Sequence, residues 1–254
     1  ITNAAGGSYS PYGARDKYDI NGNGSTKDKV GIIGSEDKSF QINPLSANLT
    51  IHDELRLSDN SQIDKELRLS SYDEHVIYDL SIICSNGGRA EDFVYFIPIA
   101  NTNTSLNEIV LENNASFVIS EEVSVYNSIA GNGVKIYYTN KKDLTYNNAL
   151  TLTDWFEELP SGVTWSDITM IKIISANEYI SNGSESIISL KLKYSKTEEE
   201  FISEAGMKAS WNSRGYYNYT IGTRMISGHF STSTNTISLE YTMPVKELTL
   251  TAAK

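Results

Sequence analysis

The chain of 254 residues carries 21 Lys and Arg against 32 Asp and Glu, a formal charge of −11, which excludes a broad basic face for nucleic acid or an anionic membrane surface. Three His and one Cys leave too few soft donors for a zinc, copper or iron–sulfur site, and no partner for an internal disulfide. Hydrophobic residues make up 39% of the chain, with sixteen Tyr and seven Phe supplying bulk that suits strands, and the length fits one large β domain or two ordinary ones.

Residues 1–28 are polar, rich in Gly and Asn, and read as an arm or loop. Within them Asp19, Asn21 and Asn23, followed by Gly24, match the front half of an oxygen-ligand calcium loop. Lys27 and Val30 stand where further ligands belong, so a complete EF-hand is excluded. A partial calcium site and a plain Asn/Gly turn are both open.

From residue 29 the chain turns strand-like, at 30–33, 40–42 and 49–57. Glu54-Leu55-Arg56-Leu57-Ser58 recurs as Glu66-Leu67-Arg68-Leu69-Ser70, which predicts paired or neighbouring strands around a turn at 58–62, with chance similarity as the alternative. Residues 75–84 and 93–99 read as two apolar strands joined by a hairpin or a looser loop, Cys84 being a small buried hydrophobe and Pro98 marking the exit of the second. Short strands follow at 109–111, 116–119 and 123–126.

The best-written stretch is 134–194. Residues 134–139 and 170–175 are rich in β-branched and aromatic types, and 186–194 alternates Ile188, Leu190, Leu192 and Tyr194 with polar neighbours. Ser181-Asn182-Gly183-Ser184 predicts a hairpin turn. The excursion between the first two strands suits helical turns at 152–159, with Thr153 or Asp154 as N-cap and Pro160 after the end, and a second capped turn at 165–168. Trp155 and Trp165 on it are either a platform for a sugar ring or caps over the core, and Trp211 with Tyr217 forms a second aromatic group open to the same two readings.

Beyond it, Thr197 and Glu200 form a capping box for a short helix that Gly206 stops, with the acid run as its solvated start. Strands resume at 217–226, 228–231 and 236–243. The expected organisation is an all-β, antiparallel β-sandwich with a short helix: an arm at 1–28, units at 29–128 and 129–245, and a linker at 246–254. One large domain is the alternative.

Three strings carry a resemblance: Tyr78-Asp79-Leu80-Ser81-Ile82, Asp92-Phe93-Val94-Tyr95-Phe96-Ile97-Pro98-Ile99, and Lys135-Ile136-Tyr137-Tyr138-Thr139 with Trp165-Ser166-Asp167-Ile168-Thr169-Met170-Ile171-Lys172-Ile173. Over residues 49–243 this resembles the immunoglobulin-like repeat modules of Gram-positive bacterial cell-surface proteins. The resemblance implies an immunoglobulin-like sandwich serving as adhesive head or spacer, often with calcium. In some such proteins a Lys–Asn isopeptide cross-link forms where a buried Lys lies beside an Asn amide with a carboxyl group at hand; no spacing in this sequence singles out such a trio.

His52, His75 and His229 are isolated, and no Gly-x-Ser-x-Gly, Cys–His or His-Glu-x-x-His motif is present. No run approaches the roughly eighteen apolar residues of a membrane span, no signal peptide is visible, and the start at Ile1 reads as a mature or excised fragment. The expected function is therefore a non-enzymatic, extracellular, cell-surface or wall-attached module that adheres to a protein or glycan ligand, or spaces an adhesive unit. A carbohydrate-binding module using Trp155, Trp165, Trp211 and Tyr217 is the alternative, and a glycan-cleaving enzyme with two carboxylates the least favoured.

Overall fold

A computed structural model describes residues 48–241, apart from 86–88, 107, 130–132 and 222–223. These residues belong to one compact unit, Ser46–Lys254. In chain order the strands are β1 (Asn48–Leu57), β2 (Ile63–Asp64), β3 (Glu66–Leu69), β4 (His75–Ser85), β5 (Arg89–Pro98), β6 (Val110–Asn113), β7 (Phe117–Ile119) and β8 (Ser124–Asn127). They continue with β9 (Val134–Thr139), β10 (Met170–Ser175), β11 (Tyr179–Ser181), β12 (Glu185–Tyr194), β13 (Lys208–Trp211), β14 (Arg214–Ile221), β15 (Arg224–Ser231) and β16 (Asn235–Leu239). Two short helices, α1 (Tyr146–Thr151) and α2 (Glu198–Ser203), and a 3-10 turn at Trp165–Asp167 interrupt them.

The strands form three sheets, in the orders β2-β1-β4-β12-β7 with β8 also on β12, β15-β14-β5-β10-β9 with β11 also on β5, and β3-β16-β13-β6. Every pairing is antiparallel except β3 with β16. The fold is thus the expected all-β, antiparallel sandwich. Alternation drives it: on β4, Val76, Tyr78, Leu80, Ile82 and Cys84 are buried while the residues between them reach the surface or half-reach it. Each large apolar side chain so buried contributes about 1.5–3 kcal/mol. Facing β4 across the core are Phe93, Tyr95 and Ile97 of β5.

Strands from both sides of position 128 share sheets. β4 pairs with β12, and β5 pairs with β10 and β14, so among the described residues the expected units 29–128 and 129–245 are interleaved. The hairpin expected at 181–184 is instead a crossing, and of the two readings for 75–84 and 93–99 the looser loop holds. β4 and β5 lie in different sheets, and Ser181-Asn182-Gly183-Ser184 carries the chain from β11, on β5, to β12, on β4. Only Gly183 of that turn has positive φ (79°), whereas the tightest hairpin turn needs it at both central residues. The repeated Glu-Leu-Arg-Leu strings are neighbouring but not paired: the first ends β1, which turns at 58–62 to pair with β2, and the second is β3, close to β1 but in another sheet. Both bury their leucines, Leu55 and Leu57 in one, Leu67 and Leu69 in the other, so the repeat encodes a shared inward face and not a shared ladder.

The helix expected at 152–159 sits earlier, at α1. There Thr145 accepts the Asn148 N–H while the Asn148 side chain accepts the Thr145 N–H, a capping box. After Thr151 the backbone extends so that Phe156 and Tyr138 exchange hydrogen bonds of 2.8 and 3.0 Å, and this pairing with β9 displaces the expected helical turns. The Thr197 and Glu200 capping box of α2 is as expected, with Gly206 at φ 90° beyond its end.

The excursion between β9 and β10 covers the outer face of the second sheet. Arg214, Phe96, Lys172 and Tyr137 are register partners across four strands. Tyr146 lies over Arg214 at 4.4 Å, and Trp155 over Lys172 at 4.7 Å and beside Phe96 at 5.9 Å. Phe96 is consequently buried although it points away from the main core. Phe96→Ala is expected to cost about 3–5 kcal/mol, read as a lower urea midpoint with secondary structure retained.

Candidate functional site

An acid stands at a core position of β1. Asp53 is 3% exposed and shares the inward phase of the strand with Leu55 and Leu57. Such a carboxylate is tolerated only if fully hydrogen-bonded or paired. Its Oδ1 receives the Lys65 ammonium, from the junction of β2 and β3. Its Oδ2 accepts the Asn235 side-chain N–H at 2.8 Å and the Tyr78 O–H at 3.1 Å. Tyr78 also meets Ser213 Oγ at 3.3 Å.

Backbone pairing holds the cluster together. Asn235 opens β16 and is the Cα partner of Trp211. The next residue, Thr236, donates its N–H to the Lys65 carbonyl at 2.8 Å, where the parallel ladder of β3 and β16 begins. Lys65 and Asn235 are therefore side by side although nearly all the described chain lies between them. Asn235 is fully buried, yet its Oδ1 accepts no hydrogen bond from any described residue. An acceptor left in that state costs about 1–3 kcal/mol.

The arrangement has a definite chemical capacity. One carboxylate holds an amine on one oxygen and a carboxamide nitrogen on the other. With both groups on one carboxylate, the chemistry open to them is proton transfer from the Lys65 ammonium to Asp53 and attack of the freed amine on Asn235 Cγ. The Nζ–Cγ bond forms, the Cγ–Nδ2 bond breaks, and the departing nitrogen collects two protons, the one that Asp53 holds and the one that the attacking amine sheds on becoming an amide. In sum, one ammonium and one primary carboxamide become a secondary amide and an ammonium ion, with Asp53 regenerated. A Lys, an Asn and a carboxyl group that no spacing revealed are thus brought together by the fold as Lys65, Asn235 and Asp53, with the Lys65 side chain 31% exposed where the cross-linking pattern has a buried Lys.

An open cleft of about 490 Å³ adjoins the cluster, lined by Leu49, Asp53, Lys65, Ser231 and Thr232 among others. Among the described residues of its lining Asp53 is the one carboxylate.

The aromatic candidates are occupied by protein partners. Trp211 is 2% exposed, with its ring 6.2 Å from that of Tyr78; it is a core residue and offers no surface to a ligand, which corrects its expected role. Trp155 is half-buried on Phe96 and Lys172, and Trp165 meets Tyr138 edge-on at 5.0 Å, so both cap the sheet. Tyr217 sits where the β5 and β14 register shifts between Tyr216 and Asn218, opposite the positive φ (49°) of Asp92, and it packs half-buried against the core. Cys84 is buried as expected, and burial pushes its thiol up. Asp19, Asn21 and Asn23, the candidate calcium ligands, lie outside the described residues. Among the described residues no group of three or more His, Cys, Asp or Glu is placed to hold a metal ion, and no helix is long and apolar enough to cross a membrane.

No family model and no curated protein matches the sequence. Among solved structures, the chain is similar to AggA, the major subunit of aggregative adherence fimbriae type I from Escherichia coli, at 11% identity and a TM-score of 0.33, covering 80% of this chain and 100% of that one. It is also similar to the Enterococcus faecalis MSCRAMM ACE, which binds its ligands by the collagen hug model, at 10% identity and a TM-score of 0.32, covering 85% of this chain and 56% of that one. The collagen-binding subdomain of the same surface protein gives 10% identity and a TM-score of 0.30, covering 79% and 99%. This chain thus spans about half the length of the longer ACE structure. The chemistry of the cluster stands independently of these likenesses.

Removing the central acceptor is expected to be costly. Asp53→Ala leaves Lys65, Tyr78 and Asn235 without their shared partner, a loss of about 3–5 kcal/mol. Lys191→Ala, which breaks the exposed pair with Glu121, is expected to change stability by less than about 1 kcal/mol. Urea titrations of the two variants check the contrast.

Proposed function

We propose that the chain is a load-bearing module of an extracellular surface protein, non-enzymatic toward other molecules, which welds itself with an amide between Lys65 and Asn235. The observation that carries this is the placement of those two side chains on the two oxygens of buried Asp53. Lys65 lies near the first described strand and Asn235 opens the last. A bond between them closes nearly the whole sandwich into one covalent loop, so tension applied through the chain ends bypasses the sheets within it. A protein that only needs to fold gains little from such a bond beyond constraint of its unfolded state. One that is pulled gains resistance to unfolding under force.

That property suits a spacer or adhesive unit on a Gram-positive cell wall, with an extracellular protein or glycan as the ligand of the assembly. The acidic surface and the scarcity of Cys are in keeping with it. The carbohydrate-module reading draws no comparable support, since Trp211 is in the core and Trp155 and Trp165 are engaged with the sheet. Calcium at Asp19, Asn21 and Asn23 belongs to the proposal as a separate expectation from the sequence.

Intact mass spectrometry of the purified chain tests the reading. The wild type is expected about 17 Da below the mass of its sequence, the loss of one ammonia, with Lys65→Ala and Asn235→Ala at full mass. After digestion, one branched peptide should join the segments containing residues 65 and 235. A wild type at full mass would overturn the proposal, and a loss of about 18 Da, one water, would place the amide on Asp53 instead.

A further inference from the structure

We infer that Tyr78 is the positioning residue for this cross-link, aiming Asp53 so that the amine and the amide nitrogen fall on different oxygens. The inference rests on the cross-linking reading above and assigns a role that neither reacting side chain supplies. A carboxylate on a strand rotates between two nearly equivalent orientations about its last torsion. Two donors on one oxygen remove that freedom: Asn235 at 2.8 Å and Tyr78 at 3.1 Å both take Oδ2, which leaves Oδ1 for Lys65. Asn235 is consumed in the reaction, so Tyr78 alone holds the orientation throughout.

Tyr78 is itself fixed from the opposite sheet. A phenol has one hydrogen, and here it goes to Asp53. The 3.3 Å contact with Ser213 Oγ is then made by the Ser213 hydroxyl donating to the phenol oxygen. Ser213 is fully buried and locked by Thr232: its N–H donates to Thr232 Oγ1 at 3.2 Å, and its carbonyl accepts the Thr232 N–H at 2.9 Å. The orientation of Asp53 is thus set by a hydrogen-bonded line from Thr232 through Ser213 and Tyr78, crossing from the end of β15 to β1. Trp211 lies against the Tyr78 ring and shares its burial. Burial, then the neighbouring Tyr95 and Asp53, pushes the phenol well above its ordinary range, so Tyr78 stays a donor at every pH where the protein is handled.

The test times cross-linking in the full chain, made by cell-free synthesis, quenched in acid at intervals and weighed intact. Tyr78→Phe keeps the ring and its packing while removing the one hydrogen at issue. It is expected to slow ammonia loss by on the order of tenfold to a hundredfold and to shift the pH profile of the rate. Ser213→Ala, which leaves the hydroxyl of Tyr78 but unties it, is expected to slow the reaction less. A role in packing alone would scale the rate equally at every pH, in step with any fall in melting temperature between Lys65→Ala and Lys65→Ala/Tyr78→Phe, neither of which can cross-link. Wild-type timing in Tyr78→Phe, or slowing with an unmoved pH profile, would overturn the inference while the cross-link itself stood. A wild type that never loses ammonia would instead overturn the cross-link and, with it, this role.

Discussion

An acid facing into a hydrophobic core dictates how this sandwich closes. Asp53 occupies a place where the alternation of β1 calls for an apolar side chain, and leaving it bare would cost several kcal/mol. Its acceptors are filled by Lys65, Tyr78 and Asn235, which come from the β2–β3 junction, β4 and β16. None of these groups is adjacent to it in sequence. The first sheet supplies Asp53 and Tyr78, the third holds Asn235 and flanks Lys65, and the second supplies Ser213 just before β14. One polar requirement therefore specifies the junction of all three sheets, where apolar packing alone would tolerate many arrangements.

The elements themselves were readable from the sequence, because strand formation leaves a local mark. Residues 134–139 and 170–175 coincide with β9 and β10, and the alternation at 186–194 falls within β12. What a strand pairs with leaves no such mark. The run at 75–84 and the one at 93–99 are equally consistent with a hairpin and with a step between sheets, and the same holds on either side of Gly183. The helix at 152–159 failed for a related reason: its local capping chemistry was sound, but backbone pairing of Phe156 with Tyr138 outweighed it.

The cluster was less legible than the fold. Lys, Asn and Asp are common surface residues, and positions 53, 65 and 235 meet only once β16 lies along β3. One signal was present: Asp53 falls in phase with Leu55 and Leu57, a carboxylate on the buried face of an otherwise regular strand. Aromatic residues drew attention by size, yet Trp155, Trp165 and Trp211 are large because the sheet face and core beneath them need filling.

The parallel pairing of β3 with β16 also imposes a schedule. Ribosomes deliver the chain from its N-terminus, so Lys65 and Asp53 emerge early and wait, in a nascent chain whose third sheet lacks a central member. Parallel, sequence-distant pairing is slow because loop closure precedes any gain from contact. The third sheet is consequently completed only when the final described strand takes its place between β3 and β13. Until then Asp53 has Lys65 and Tyr78 within reach but not Asn235, so the last donor to reach the buried acid is also the last to be made.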